Sequence, residues 1–189
     1  MRIGVMALQG GFAPHLNALT RLGHEAIEIR TAGALEEAEG LVLPGGESTA
    51  QLGLLERSGL LVSLEAWLDR GGPVLATCAG LIVLASRVRS PQPSLGRLDV
   101  EVERNAWGRQ VHSFEAVSDR LGLPLVFIRA PRITRVGPAA EVLDTLDGEP
   151  ILVRQDAIVA ATFHPELTAD LGVGRMVFGE AVMAQRAQA

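Results

Sequence analysis

The stretch PVLATCAGLIVL, Pro73 to Leu84, decides the fold. Pro73 to Ala76 is a short apolar run that reads as a buried strand, and Leu81 to Ala85 reads as a helix without internal proline or glycine. Only Thr77, Cys78, Ala79 and Gly80 remain to turn the chain between them. A strand that turns so tightly into a helix sets the middle side chain on a sharp corner. This is the nucleophile-elbow pattern G-x-S-x-G, with a thiol in place of the hydroxyl. Ala76 stands where the pattern has its first glycine, a departure that a methyl group satisfies. A thiol at this corner also sits at a helix N-terminus, where the dipole and free N–H groups favour thiolate. Cys78 is the only cysteine in the chain. On this stretch alone it reads either as an activated nucleophile or as a buried core thiol.

Outward from the elbow, the first half alternates strand and helix. Ile3 to Leu8 reads as a strand, followed by Gln9-Gly10-Gly11 and a helix over about 13–22 that Gly23 ends. Glu25 to Arg30 is a second strand, Leu35 to Glu39 a short acidic helix, and Gly40 to Leu43 a third strand. The turn Pro44-Gly45-Gly46-Glu47-Ser48-Thr49 then opens a helix over 48–57 that Ser48 is placed to cap, and a further helix spans 60–70. Such alternation predicts an α/β fold with a mainly parallel sheet flanked by helices on both faces. Its ligand crevice belongs at the carboxyl ends of the strands, where Cys78 and the PGGES turn fall.

The second half is β-rich. After the loop Ser90 to Ser94, strands are expected over 98–103, 111–117, 125–128, 133–136, 142–146, 151–155 and 158–163. Gly137-Pro138 and Asp147-Gly148 suggest antiparallel hairpins, and hence antiparallel edge strands on the parallel sheet. A final helix is expected over about 172–185. No repeat or long linker divides the 189 residues, which read as one domain.

Composition excludes several classes. A hydrophobic fraction of 48% argues against disorder, and no apolar run approaches the roughly 18 residues of a membrane span. The start MRIGVMALQGG lacks the apolar h-region and cleavage site of a secretory signal and reads as a first strand. One cysteine rules out an internal disulfide and is compatible with the reducing cytoplasm, where the chain is placed. A net charge of −5 leaves no nucleic-acid footprint. All 17 basic residues are arginine, so Schiff-base, P-loop lysine and Ser-Lys chemistry are excluded.

A thiolate nucleophile needs a base. His15 and His24 have no partner motif nearby, and His112 precedes Ser113-Phe114-Glu115 on an expected strand. His164 ends the apolar strand and begins His164-Pro165-Glu166, where proline stops the strand and turns the chain. Glu166 is spaced to reach back to the imidazole, the orienting role in a nucleophilic triad. Taken alone, His-Pro-Glu reads as an ordinary strand-end turn. Elbow and His-Pro-Glu at strand ends of one sheet favour the catalytic reading.

With these residues in place the chain resembles the triad-type (class I) glutamine amidotransferases, and within them the glutaminase subunits of pyridoxal 5′-phosphate synthase. The matching runs are LQG (8–10), LPGGEST (43–49), TCAGL (77–81), VERNAWGRQ (102–110), SFE (113–115), IRAP (128–131) and FHPELT (163–168). Other triad glutaminases share the elbow and HPE but not VERN-x-x-GRQ or IRAP. The resemblance implies a flavodoxin-like sheet and a glutaminase. Cys78 would attack the glutamine side-chain amide, with His164 as base and then acid, and Glu166 orienting it. It further implies glutamine contacts by Gly46, Glu47, Ser48, Arg104, Ile128 and Arg129. Arginine grips a carboxylate bidentately, which suits a free amino acid. The amides of Gly46 and Ala79 are the candidate oxyanion donors, and Gln9 and Gly10 the candidates for a gating rearrangement.

No metal or cofactor is implied. The implied partner is a separate synthase subunit that uses the ammonia, with pyridoxal 5′-phosphate the product of the complex. Two other readings stand beside this one: another amidotransferase subunit or cysteine hydrolase on the same fold, and a non-catalytic module that retains it.

Overall fold

A computed structural model of the chain describes residues 1–89, 92–107 and 113–179. Its centre is a seven-stranded sheet. The parallel strands are β1 (Arg2–Met6), β2 (Glu25–Ile29), β3 (Gly40–Leu43), β4 (Val74–Thr77) and β12 (Ile158–Ala161). β10 (Glu141–Leu146) and β11 (Glu149–Gln155) extend it antiparallel at one edge, giving the order β10-β11-β12-β4-β3-β1-β2. This is the expected architecture. A parallel sheet covered on both faces needs apolar side chains on both, and the burial follows strand period. Leu41, Leu43, Val74 and Ala76 enter one core, while Val42 and Leu75 enter the other.

Over the first face lie α2 (Ala32–Glu36), α3 (Ser48–Arg57), α4 (Leu60–Leu68) and α5 (Ala79–Leu84). A three-stranded sheet packs with them, made of β5 (Ala85–Val88), β6 (Leu98–Glu103) and β9 (Arg132–Val136). Over the other face lie α1 (Phe12–Arg21), the hairpin of β7 (Phe114–Val117) and β8 (Pro124–Phe127), and a C-terminal helical turn over Gly172–Gly174 and Arg175–Gly179. Among the described residues no helix is long and apolar enough to cross a membrane.

β1 has β2 on one side and β3 on the other. The chain leaves β1 in one direction, returns, and continues in the opposite direction. The carboxyl ends of β1 and β3 thus flank a topological switch point, where a crevice opens. The loops after β1, β3, β4 and β12 begin side by side at this edge.

Several boundaries differ from expectation for local reasons. α2 starts at Ala32 and ends at Glu36, because the Thr31 side chain caps it by accepting from the Ala34 amide at 3.3 Å, whereas Glu39 already hydrogen-bonds Arg2 on the way into β3. α3 is capped by Glu47 and not by Ser48: its carboxylate accepts from the Ala50 amide at 2.7 Å and the Thr49 amide at 3.4 Å. The Ser48 hydroxyl instead faces Gln92 at 3.0 Å. α5 ends at Leu84, since Ala85 is already extended and opens the unforeseen β5.

Gly137-Pro138 is not a hairpin. β9 pairs with β6, β10 joins the large sheet, and the turn carries the chain between sheets, braced where Asp99 packs against Gly137 and accepts from the Ala139 amide. Asp147-Gly148 does form the β10–β11 hairpin, with both residues at positive φ (51° and 76°) as a type I′ turn requires. Ser90, Pro91, the Gly108-Arg109-Gln110 end of the VERN run, Val111, His112 and the expected helix beyond Gly179 lie outside the described residues.

Candidate active site

The elbow is built as the sequence reads. The Cys78 amide still bonds in sheet fashion to the Ala161 carbonyl at 2.8 Å, while its own carbonyl accepts from Ile82 at 3.2 Å and so begins α5. One residue belongs to both elements, and its φ of 48° with ψ of −100° records the sharpness of the turn. A non-glycine residue held there costs on the order of 1–3 kcal/mol, which the surrounding packing must offset. That packing is close: a Cβ at Gly80 would stand 2.1 Å from the Leu43 carbonyl oxygen, so only glycine lets α5 sit on β3. The amide of Ala79, in the first helical turn, has no carbonyl one turn earlier in the helix to bond.

β12, which neighbours β4, delivers the second group. Phe163 is fully buried, and His164 follows with its amide on the Val126 carbonyl at 2.9 Å. Phe127 stacks on Phe114 at 4.6 Å and touches Phe163 and Trp107. Each such pair contributes about 0.5–1.5 kcal/mol beyond its buried area, so the segments carrying His164 and Ile128-Arg129 rest on one rigid aromatic base.

Pro165 opens a short 3₁₀ turn that swings Glu166 back beneath the ring, with its Oε1 2.7 Å from His164 Nδ1. Nδ1–H donates to the carboxylate, which directs Nε2 toward the sulfur. Burial works to lower the His164 pKa, but the hydrogen bonds and charges of Cys78 and Glu166 outweigh it and push it up to about 10. Burial likewise raises the Glu166 carboxyl, and His15 and His164 beside it overcome that and hold it down to about 2. At neutral pH the imidazole therefore keeps its proton, held between the Glu166 carboxylate and the Cys78 sulfur. Such a pair supports nucleophilic attack by sulfur and proton delivery to a leaving group.

These groups open onto a cleft of about 330 Å³. Gly46, Glu47, Ser48, Arg104, Ile128 and Arg129 all line it, as does Gln9. Arg104 donates to Glu47 at 2.6 Å, placing a cation and an anion together at the wall. The Thr49 hydroxyl, the amides of Ala50 and Thr49 and the Arg104 guanidinium hold the Glu47 carboxyl below its ordinary range, against desolvation. The two glycine loops touch. Gly11 N donates to the Gly45 carbonyl at 3.0 Å, Gln9 Oε1 accepts from the Glu47 amide at 3.0 Å, and Gly10 has φ 99°. A Cβ on Gly45 would stand 2.3 Å from His164 Cε1, so the loop after β3 lies directly on the imidazole.

Asn105 in the cleft wall and His15 behind it are given no role by sequence reasoning. Asn105 lines the site with φ 51°; with Cys78 and Arg129 (φ 47°) it accounts for three of the five non-glycine positive-φ residues among those described. The sequence signals for Asn105 are its place in the VERN run and asparagine's tolerance of this region. His15 was set aside for want of a partner motif; its partner is Glu166, with Nε2 3.4 Å from Oε2.

Comparison with known proteins shows the family. The model of the SNO glutamine amidotransferase family matches residues 5–182. A Pyridoxal 5'-phosphate synthase subunit PdxT from Fervidobacterium nodosum is 46% identical over 178 residues, covering 92% of this chain and 93% of its own. The protein of the same name from Deinococcus radiodurans is 48% identical over 189 residues, covering 95% and 96%. A crystal structure of a glutamine amidotransferase superposes with a TM-score of 0.88 at 44% identity, covering 94% of this chain and 97% of that one. A putative GMP synthase subunit from Thermoplasma acidophilum, at 17% identity and a TM-score of 0.70, shares the fold.

Proposed function

Because this chain belongs to the SNO glutamine amidotransferase family, we propose that it hydrolyses L-glutamine and hands the ammonia to a separate synthase subunit that makes pyridoxal 5′-phosphate. The observation that carries this reading is the Cys78–His164–Glu166 constellation on adjacent strand ends, open to a cleft lined by both charges a free amino acid needs.

Cys78 Sγ attacks the side-chain amide carbon. The developing oxyanion is met by the amides of Gly46 and Ala79. His164 gives its proton to the nitrogen as ammonia leaves, and a γ-glutamyl thioester remains. His164 then deprotonates a water, which attacks the thioester; glutamate departs and the proton returns to the sulfur–imidazole pair. Glu166 keeps the ring oriented throughout. Arg104 or Arg129 takes the α-carboxylate and Glu47 the ammonium, with Ser48 and Ile128 completing the wall.

The chain acts as one domain, and no cofactor takes part. An unpaired reactive thiol suits the cytoplasm. Synthase docking acts on the Gln9-Gly10 and Gly45-Gly46 loops, whose mutual hydrogen bonds set the oxyanion donors. A single missing donor costs about 10²–10³ in rate, so a flipped peptide is enough to silence the free subunit. The test is ammonia release from glutamine, asparagine and a peptide amide, with and without synthase. Glutamine-only hydrolysis, raised by synthase in turnover more than in affinity, is expected. Equal turnover with and without synthase refutes the gating, and absence of glutamine hydrolysis in the complex refutes the function.

A further inference from the structure

We propose that His15 is a positioning residue: from α1 it braces the second oxygen of the Glu166 carboxylate and ties it to Thr77, the residue before the nucleophile. Its consequence for turnover rests on the glutaminase reading above.

His15 is 2% exposed, a buried histidine that the reaction as written does not use. Its Nε2 lies 3.2 Å from Thr77 Oγ1 and 3.4 Å from Glu166 Oε2. A ring nitrogen facing a carboxylate oxygen must carry a proton, since two lone pairs would repel; Nε2 is therefore the protonated nitrogen, in hydrogen-bond reach of Thr77 Oγ1 and in ion-pair range of Glu166 Oε2. Glu166 Oε1 is already engaged by His164, while Oε2 is buried without a hydrogen bond, and His15 Nε2 at 3.4 Å is the cationic or donor group that stands against it. A buried carboxylate with one bare oxygen is unstable as an anion. It escapes by rotating or by taking a proton, and either change withdraws support from the imidazolium. His15 blocks both.

The arrangement is rigid. α1 packs on the Pro165–Leu167 turn, and His15, Leu19, Pro165 and Glu166 close around one small cavity. Thr77 is fully buried at the end of β4, so the contact joins the strand carrying the nucleophile to the turn carrying the carboxylate. The competing account is a core histidine satisfied by Thr77 alone, whose loss lowers stability and nothing else.

The experiment compares His15→Leu and His15→Gln in the full chain with synthase present. The glutamine side-chain nitrogen reaches about as far as Nε2 and donates as it does. Four quantities are read: kcat, KM for glutamine, melting temperature, and the rate of Cys78 alkylation by iodoacetamide at neutral pH. His15→Leu is expected to lower kcat on the order of ten- to a hundredfold, the effect of losing one charge-assisted contact, with KM little changed. Alkylation should slow in parallel, and His15→Gln should recover most of both. Should His15→Leu fail to fold, His15→Asn replaces it, because its shorter amide stops short of Glu166; a folded His15→Asn with reduced kcat and alkylation upholds the proposal.

Wild-type kcat and alkylation in His15→Leu, or in its replacement His15→Asn, overturn it, as does a folded His15→Gln as impaired as His15→Leu. If the wild-type complex released no ammonia while alkylation still depended on His15, the glutaminase reading would fall and the positioning role would stand.

Discussion

Gly45→Ala places a methyl group against the proposed base. The added Cβ would lie 2.3 Å from His164 Cε1 and 3.0 Å from Nδ1. Ordinary contact between carbon atoms begins near 3.5 Å, so the ring must withdraw by roughly 1 Å. It has little freedom to do so: Nδ1 is held by Glu166 at 2.7 Å, and the backbone is pinned to Val126 at 2.9 Å. A misplacement of about 1 Å costs on the order of 10² in rate, so kcat should fall by about that factor while KM changes less. Gly45 is not among the glycines at positive φ, so the backbone itself accepts alanine. The stability cost is then overpacking alone, about 1–3 kcal/mol, or a melting temperature lower by roughly 2–12 °C. Gly33→Ala serves as control, because a Cβ there meets nothing within 4 Å, and it should keep full activity. Steady-state turnover and thermal melts of both variants suffice. A folded Gly45→Ala enzyme within about threefold of wild-type kcat would refute the placement of His164.

Further outcomes follow from the same geometry. His164→Asn should remove nearly all single-turnover activity and Glu166→Gln less, since one transfers protons and the other orients; the reverse order would exchange their roles. Stability should depend on pH at both flanks. Glu166, held down to about 2 from 4.5, contributes fully above about 4.5 and progressively less as pH falls toward 2, so Glu166→Gln should flatten the acid limb of a melting profile. His164, pushed up from 6.5 to about 10, contributes fully below about 6.5 and loses that contribution as pH rises through 10, so His164→Asn should flatten the alkaline limb. Glu47→Ala removes the α3 cap and the partner of Arg104, and should cost about 1 kcal/mol in denaturant melts while raising KM for glutamine. An unchanged KM would remove Glu47 from the binding wall.

What the sequence disclosed was whatever is local or periodic. Val74 to Thr77 and Gly40 to Leu43 are apolar at every position but Thr77 and Gly40, as doubly covered strands must be, and the elbow and His-Pro-Glu are complete within three to five residues. What stayed hidden depends on distant chain. His15 and Thr77 are 62 residues apart, and no spacing rule links them. Gly137-Pro138 carries the composition of a hairpin, yet strand pairing is decided by which sheet has a free edge, and β9 found β6. Glu47 displaced Ser48 as cap because the longer carboxylate reaches the Thr49 and Ala50 amides and Arg104 together, while Gln92 takes the serine.

The central claim is that Cys78, on its strained corner, is the nucleophile toward glutamine. It is tested most directly by treating the chain, in complex with synthase, with a glutamine-like electrophile and mapping the modified peptide by mass spectrometry. Cys78→Ala is treated in parallel and assayed for ammonia release. The account predicts a single adduct on Cys78, protection by L-glutamine, and no ammonia from Cys78→Ala although it still binds glutamine. Modification that glutamine does not prevent, or ammonia release by Cys78→Ala at a rate near wild type, would contradict it.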